Sequence, residues 1–134
     1  MTLTDAERDA QRERVKALFE RWIGLIGLDR WKIKISYLAE GPIEGDDGSF
    51  ALMTCTARWE YRKATITVAL SECPALPDDE LEQIVVHELM HIFLSEMREK
   101  DEDLKHEERV ATMLAEGLIG LYKAPLAGEL ELVQ

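Results

Sequence analysis

Cysteine is scarce in this chain. Only Cys55 and Cys73 occur in 134 residues, and no export signal accompanies them, so both are expected to be reduced, each a small buried hydrophobe. Positive charge is also short: 16 Lys and Arg stand against 27 Asp and Glu, a formal charge of −11 and a sequence pI near 4.7. Such a surface repels phosphate backbones, which excludes a nucleic-acid partner in the absence of a basic cluster. The N-terminus, Met-Thr-Leu-Thr-Asp-Ala-Glu, lacks a basic segment followed by an apolar one, and no apolar run reaches bilayer length. The expected location is the cytoplasm, with no membrane partner. The acidic stretch at 41–48 lacks the spacing of an EF-hand, so it reads as a solvated loop. There is no internal repeat and no room for a second domain. Residues 1–134 form one domain with a single core.

What is present reads as α+β. Thr4 followed by Glu7 is a capping-box signature, and Val15, Leu18, Phe19, Trp22, Ile23 and Ile26 recur at helical spacing, which predicts a first helix to about Gly24 or Gly27. From Trp31 the period becomes two, with Ile33, Ile35 and Tyr37 on one face. A second alternating stretch spans 50–61 and a third spans 64–70. The short link at Arg62 and Lys63 predicts a hairpin, giving a twisted three-stranded, mainly antiparallel sheet. After the loop at 71–79, Asp78 or Asp79 is placed to cap a helix over 81–97. Residues 98–105 read as a charged connector. A last helix begins near Asp101 or Asp103, presents Val110, Met113, Leu114, Leu118 and Leu121 to the core, and stops before Pro125. Residues 125–134 read as a loosely packed tail.

The chemistry concentrates in the helix at 81–97. Of only three histidines, two fall in His87-Glu88-Leu89-Met90-His91, an H-E-x-x-H motif. At about 100° per residue, His87 and His91 lie about 40° apart on one face, and Glu88 within about 100° of both. The two imidazoles can therefore share one metal ion while the Glu88 carboxylate reaches a water beside it. Ile84, Val85, Val86, Leu89, Met90, Ile92, Phe93 and Leu94 make this helix apolar nearly all round. Burying two His and a Glu there is costly unless they are paired or metal-bound. A catalytic zinc takes three protein ligands, so one is missing. His106, Glu107 and Glu108 are the candidates. Helical phase favours Glu107, about 20° from the apolar stripe, over Glu108, about 120° away.

An H-E-x-x-H helix followed by a helix bearing a glutamate resembles the gluzincin metallopeptidases, and in size and element order the chain is similar to the minigluzincins and other small phage-associated or immunity-type peptidases. Their glutamate helix resembles E-x-x-[Ser/Ala]-[Asp/Asn]. Glu108-Arg109-Val110-Ala111-Thr112 matches it through Ala111 and departs at Thr112, where the family has a side chain that bonds a ligand histidine. The resemblance therefore implies Zn2+ held by His87, His91 and Glu108; Glu107, on helical phase, and then His106 stay as alternative third ligands. It also implies hydrolysis of peptide bonds in a peptide or protein substrate, with Glu88 as general base and then general acid. His106, Tyr61 and Tyr122 are candidate donors to the developing oxyanion. If the third strand borders the cleft, Thr65, Ile66, Thr67 and Val68 are placed to pair with an extended substrate. Monomers are expected.

Two other functions fit the same residues. One is a binding or regulatory module stabilised by zinc without peptidase activity, against which the intact Glu88 counts. The other is a non-peptidase metal hydrolase of deformylase type using Cys73 as a ligand, although the glycine-rich motifs of such enzymes are missing.

Overall fold

The structure, a computed structural model, describes residues 2–44, 49–95 and 104–124. Helix α1 spans Asp5–Leu25. Its capping box forms as predicted: the Glu7 amide donates to Thr4 Oγ1 at 3.1 Å and the Thr4 amide to Glu7 Oε1 at 2.9 Å. The helix buries Val15, Phe19 and Trp22, one stripe at i, i+4 and i+7. The chain then turns through Gly27 at φ 78°, backbone that a side chain would strain.

Strand β1 is Lys32–Leu38, β2 is Ile43–Glu44, β3 is Phe50–Ala51, β4 is Met53–Arg58 and β5 is Lys63–Ala69. The sheet is mixed rather than mainly antiparallel. Its order is β1-β5-β4, with β1 parallel to β5 and β4 antiparallel to it. Period-two alternation marks a strand but carries no information about its direction or partner. The hairpin between β4 and β5 does form, around a 3₁₀ turn at Trp59–Tyr61 and Arg62 at φ 50°. The stretch at 50–61 is therefore not one strand: β3 pairs with β2 in a separate small sheet, and β2 lies where the sequence reads as loop. Gly41 leads into β2 past Ala69, and a Cβ at position 41 would stand 2.3 Å from the Ala69 Cβ.

This order places β5 at the centre. Thr65, Ile66, Thr67 and Val68 are hydrogen-bonded to a neighbour on each side, so they cannot add a substrate strand, and the expectation that they do is withdrawn. Both edges of this sheet, β1 and β4, lie elsewhere. Ala64, Ile66 and Val68 instead enter the core with Phe19, Trp22, Leu81, Val85 and Leu89.

Helix α2 spans Asp78–Ser95 and α3 spans Leu104–Tyr122. Asp78 and Asp79 sit in the first turn of α2 rather than before it, since the Leu81 amide already donates to the Pro77 carbonyl at 3.0 Å. Their charges still favour the positive end of the helix dipole. Residues 96–103, which include the predicted end of α2, most of the connector and the predicted start at Asp101 or Asp103, lie outside the described residues, as do 45–48 and the tail at 125–134. No helix among the described residues is long and apolar enough to cross a membrane.

Helix α3 is rotated from its predicted phase. Ala111 and Ala115 are fully buried, whereas Val110, Met113, Leu114 and Leu121 are exposed. Two alanines let α3 approach α2 closely, which the larger apolar side chains beside them do not permit.

A buried carboxylate of α2 joins α1 to Lys123, the residue that follows α3. Glu82 Oε2 accepts from Trp22 Nε1 at 2.9 Å and Arg21 Nη1 at 3.4 Å, and Oε1 pairs with Lys123 Nζ at 2.9 Å. Burial raises its proton affinity, but the hydrogen bonds from Lys123 and Trp22 and the charges of Lys123 and Arg21 outweigh it and hold the carboxyl below its ordinary range. Glu82→Ala should cost about 2 kcal/mol in urea unfolding at neutral pH, largely through the buried Trp22 N–H left without an acceptor. Because the folded-state pKa is lowered, the ionic part of this stabilisation is complete above the ordinary carboxylate range and disappears as pH falls through the lowered value. The gap between wild type and variant should therefore narrow in acid without closing, since a protonated Glu82 still accepts from Trp22 Nε1. A constant gap would contradict the assignment.

Candidate metal centre

Three side chains from two helices converge at one end of the α2–α3 pair. His87 Nε2 and His91 Nε2, one turn apart on α2, are 3.3 Å from each other. Glu108 Oε1 of α3 lies 2.9 Å from the first and 2.8 Å from the second. Among the described residues this is the one group of three His, Cys, Asp or Glu side chains arranged to hold a metal ion.

The other ring nitrogens fix which atoms face inward. His91 Nδ1 is bonded to Glu107 Oε2, and His87 Nδ1 is 3.1 Å from Thr112 Oγ1. An ionised carboxylate only accepts, so the proton of a neutral His91 resides on Nδ1 and the Nε2 lone pair points to the cluster. Thr112 can accept from His87 Nδ1 in the same way. Two imidazole lone pairs and a carboxylate oxygen then face one another, and acceptors this close repel unless a cation or protons stand between them. Ligands at about 2.0–2.2 Å from a tetrahedral ion lie about 3.3 Å apart. The histidine pair has that spacing and the Glu108 oxygen is a few tenths of an ångström closer. The donor set, two imidazoles and one carboxylate, is one that suits zinc.

Glu107 does face inward, but in line with Ala111 and Ala115 rather than with the exposed Leu114 from which helical phase predicts it. The residue is buried, 7% exposed, as an inward-facing position requires, but its partner is His91 Nδ1 and not the metal position. Adjacent helical residues point about 100° apart. With Glu107 behind His91, Glu108 is carried round to the Nε2 side, and its half-exposed side chain reaches the cluster from the solvent edge. A Glu107→Ala change, harmless if the residue were a surface one, therefore removes a buried contact. Thr112, despite its departure from the Asp or Asn of the resembling pattern, does reach a histidine.

His106 does not join the cluster; it is exposed, with Nδ1 3.1 Å from Arg109 Nη2. Cys73 is equally uninvolved. It is fully buried, its thiol directed at the Ala69 carbonyl at 3.6 Å, and burial pushes its pKa up to about 11. That removes the deformylase-type ligand set. Tyr122 packs edge-on against Trp22 at 5.1 Å between ring centroids, and Tyr61 is exposed in the turn after β4. Neither lines the cleft described next.

Glu88 is buried at 8% exposure, its Oε2 3.9 Å from His87 Nε2 and outside the converging trio. Burial, with a further contribution from the Glu108 charge, pushes its carboxyl up to about 8. It lines a cleft of about 400 Å³ together with His87, Thr112, Leu52, Met53 and Ile84. The cleft thus lies between the segment entering β4 and the N-terminal half of α2, a neighbourhood set by long-range packing that no local pattern in the sequence contains. Compared with known protein families, curated protein sequences and solved structures, the chain has no match.

Proposed function

We propose that the chain is a zinc-dependent peptide hydrolase of gluzincin type, with His87, His91 and Glu108 holding the ion and Glu88 moving the proton. The observation that carries this reading is the convergence of His87 Nε2, His91 Nε2 and Glu108 Oε1 within 3.3 Å of one another, beside a buried fourth group that is not one of the three. A purely structural ion does not need that fourth carboxylate, whereas hydrolysis does. Zinc, when bound, supplies a Lewis acid that polarises the scissile carbonyl and acidifies water. The remaining work falls to the chain. Glu88, at the cleft wall, accepts a proton from the attacking water and returns it to the leaving amine. Leu52, Met53 and Ile84 line the cleft with apolar surface that excludes bulk water and receives an apolar part of the substrate. Among the described residues β4 pairs only with β5, so its outer edge, rather than Thr65 to Val68, is the strand available for pairing with an extended peptide. Neither Cys55 nor Cys73 forms a disulfide among the described residues, which fits a cytoplasmic setting.

Equilibrium dialysis should give about one zinc per chain, and a chelator should lower the melting temperature because ion binding stabilises the native state by mass action. Zinc-loaded protein incubated with a broad panel of unfolded proteins should generate new termini detectable by mass spectrometry, and the chelator should abolish them. Stoichiometric zinc with no cleavage anywhere in the panel would instead support a metal-stabilised binding module.

A further inference from the structure

We propose that Glu107 is a positioning residue for His91, the charged member of an unequal pair of supports that makes His91 the more firmly anchored of the two imidazoles. The inference rests on the metal-centre reading above and adds to it the origin of the site's affinity.

Three observations lead to it. The Glu107 side chain is 6% exposed, and an ionised carboxylate is not retained in such a place without a strong partner. That partner is His91 Nδ1, on the opposite side of the ring from the nitrogen that faces His87 and Glu108. Among the described residues, the corresponding nitrogen of His87 meets the Thr112 hydroxyl at 3.1 Å rather than a carboxylate. A carboxylate and a hydroxyl do not do the same work. The carboxylate can only accept, so it admits one tautomer of His91 and increases the electron density at Nε2. A hydroxyl can donate as readily as accept, so it fixes neither the tautomer nor the ring as firmly.

The contact also sets the rotation of α3. Glu107 reaches across from α3 to a histidine of α2, and the next residue, about 100° round the helix, is Glu108. Holding Glu107 behind His91 therefore brings Glu108 Oε1 to 2.8 Å from His91 Nε2. One side chain thus orients two of the three groups, although it touches only one of them.

The test is zinc affinity, measured by competition with a chromogenic chelator on folded protein, for wild type, Glu107→Gln, Glu107→Ala and Thr112→Val. Glu107→Ala should weaken zinc by about 10- to 100-fold. Glu107→Gln keeps an acceptor for Nδ1–H but loses the charge and should recover part of that loss. Thr112→Val should weaken zinc less than Glu107→Ala does. With cobalt in place of zinc, the visible absorption of Glu107→Ala should shift relative to wild type, a change that simple loss of packing would not produce. If Glu107→Ala does not fold, Glu107→Gln and its cobalt spectrum decide the matter. The proposal is overturned if wild type binds zinc and the Glu107 variants bind it within about twofold with unchanged cobalt spectra, or if Thr112→Val is the more damaging change. Wild type that binds no zinc overturns the metal-centre reading itself, a separate result.

Discussion

Glu88→Gln should lower peptide hydrolysis by about 100- to 10,000-fold while leaving zinc stoichiometry and fold intact. The amide matches the carboxylate in shape, so the cleft wall formed with His87, Ile84 and Leu52 keeps its packing. What is lost is the ability to accept a proton from water and pass it to the leaving amine. Zinc should stay, because Glu88 Oε2 is 3.9 Å from His87 Nε2 and takes no part in the group formed by His87, His91 and Glu108. Thermal stability at neutral pH should hold, since a carboxyl pushed up to about 8 is already largely neutral there and the amide replaces it with little change in burial cost. Hydrolysis by product mass spectrometry, zinc by elemental analysis and melting temperature are to be read on the same preparation. Undiminished hydrolysis would remove Glu88 from the proton path, and loss of zinc would place it among the ligands.

Much of the site is legible in the sequence because its chemistry is local. His87, Glu88 and His91 are placed relative to one another by helix geometry alone, and the surrounding Ile, Val, Leu and Met residues announce the burial of α2 without reference to any other segment. Thr4 and Glu7 fix the start of α1 on the same grounds. The pairing of strands is another matter. Alternation of Ile33 and Ile35, or of Ile66 and Val68, declares a half-buried face but not a neighbour. Placing β1 alongside β5 requires the chain to return past β2, β3 and β4, and that arrangement is decided by global packing. The misassignment of Thr65 to Val68 as an edge follows directly from it.

Helix α3 shows a subtler limit. Apolar side chains at Val110, Met113 and Leu114 mark an inward face under the ordinary rule, yet the helix buries Ala111 and Ala115 and leaves those larger residues exposed. Small side chains at a close helix crossing carry little weight in a hydrophobicity pattern, although they set the approach distance. Once the rotation is known, the conflict between Glu107 and Glu108 disappears. Glu107 enters the core in line with Ala111 and Ala115, the glutamate-helix resemblance identifies the residue that faces the two imidazoles, and adjacency makes both roles possible in one turn.

Glu108→Ala should abolish tight zinc binding, with a loss exceeding the 10- to 100-fold that removal of a supporting partner costs. The carboxylate supplies one of three converging atoms and the only one bearing negative charge; Glu108 Oε1 approaches both His87 Nε2 and His91 Nε2 within 2.9 Å. Without it two neutral imidazoles remain, with two of the four tetrahedral positions left to water. The fold should persist, because the Glu108 side chain is 54% exposed and its removal opens no cavity. His106→Ala is the matched control two residues away and about 200° round the helix, where the side chain is exposed beside Arg109; zinc affinity should be unchanged and stability should move by no more than about 0.5 kcal/mol. Competition with a chelator separates the outcomes. Retention of zinc by Glu108→Ala together with its loss in His106→Ala would give a three-histidine centre and require α3 to rotate away from the Glu107 contact with His91. Loss in Glu108→Ala alone, with Glu107→Ala intermediate, is the order that a ligand and its neighbour behind the histidine should produce.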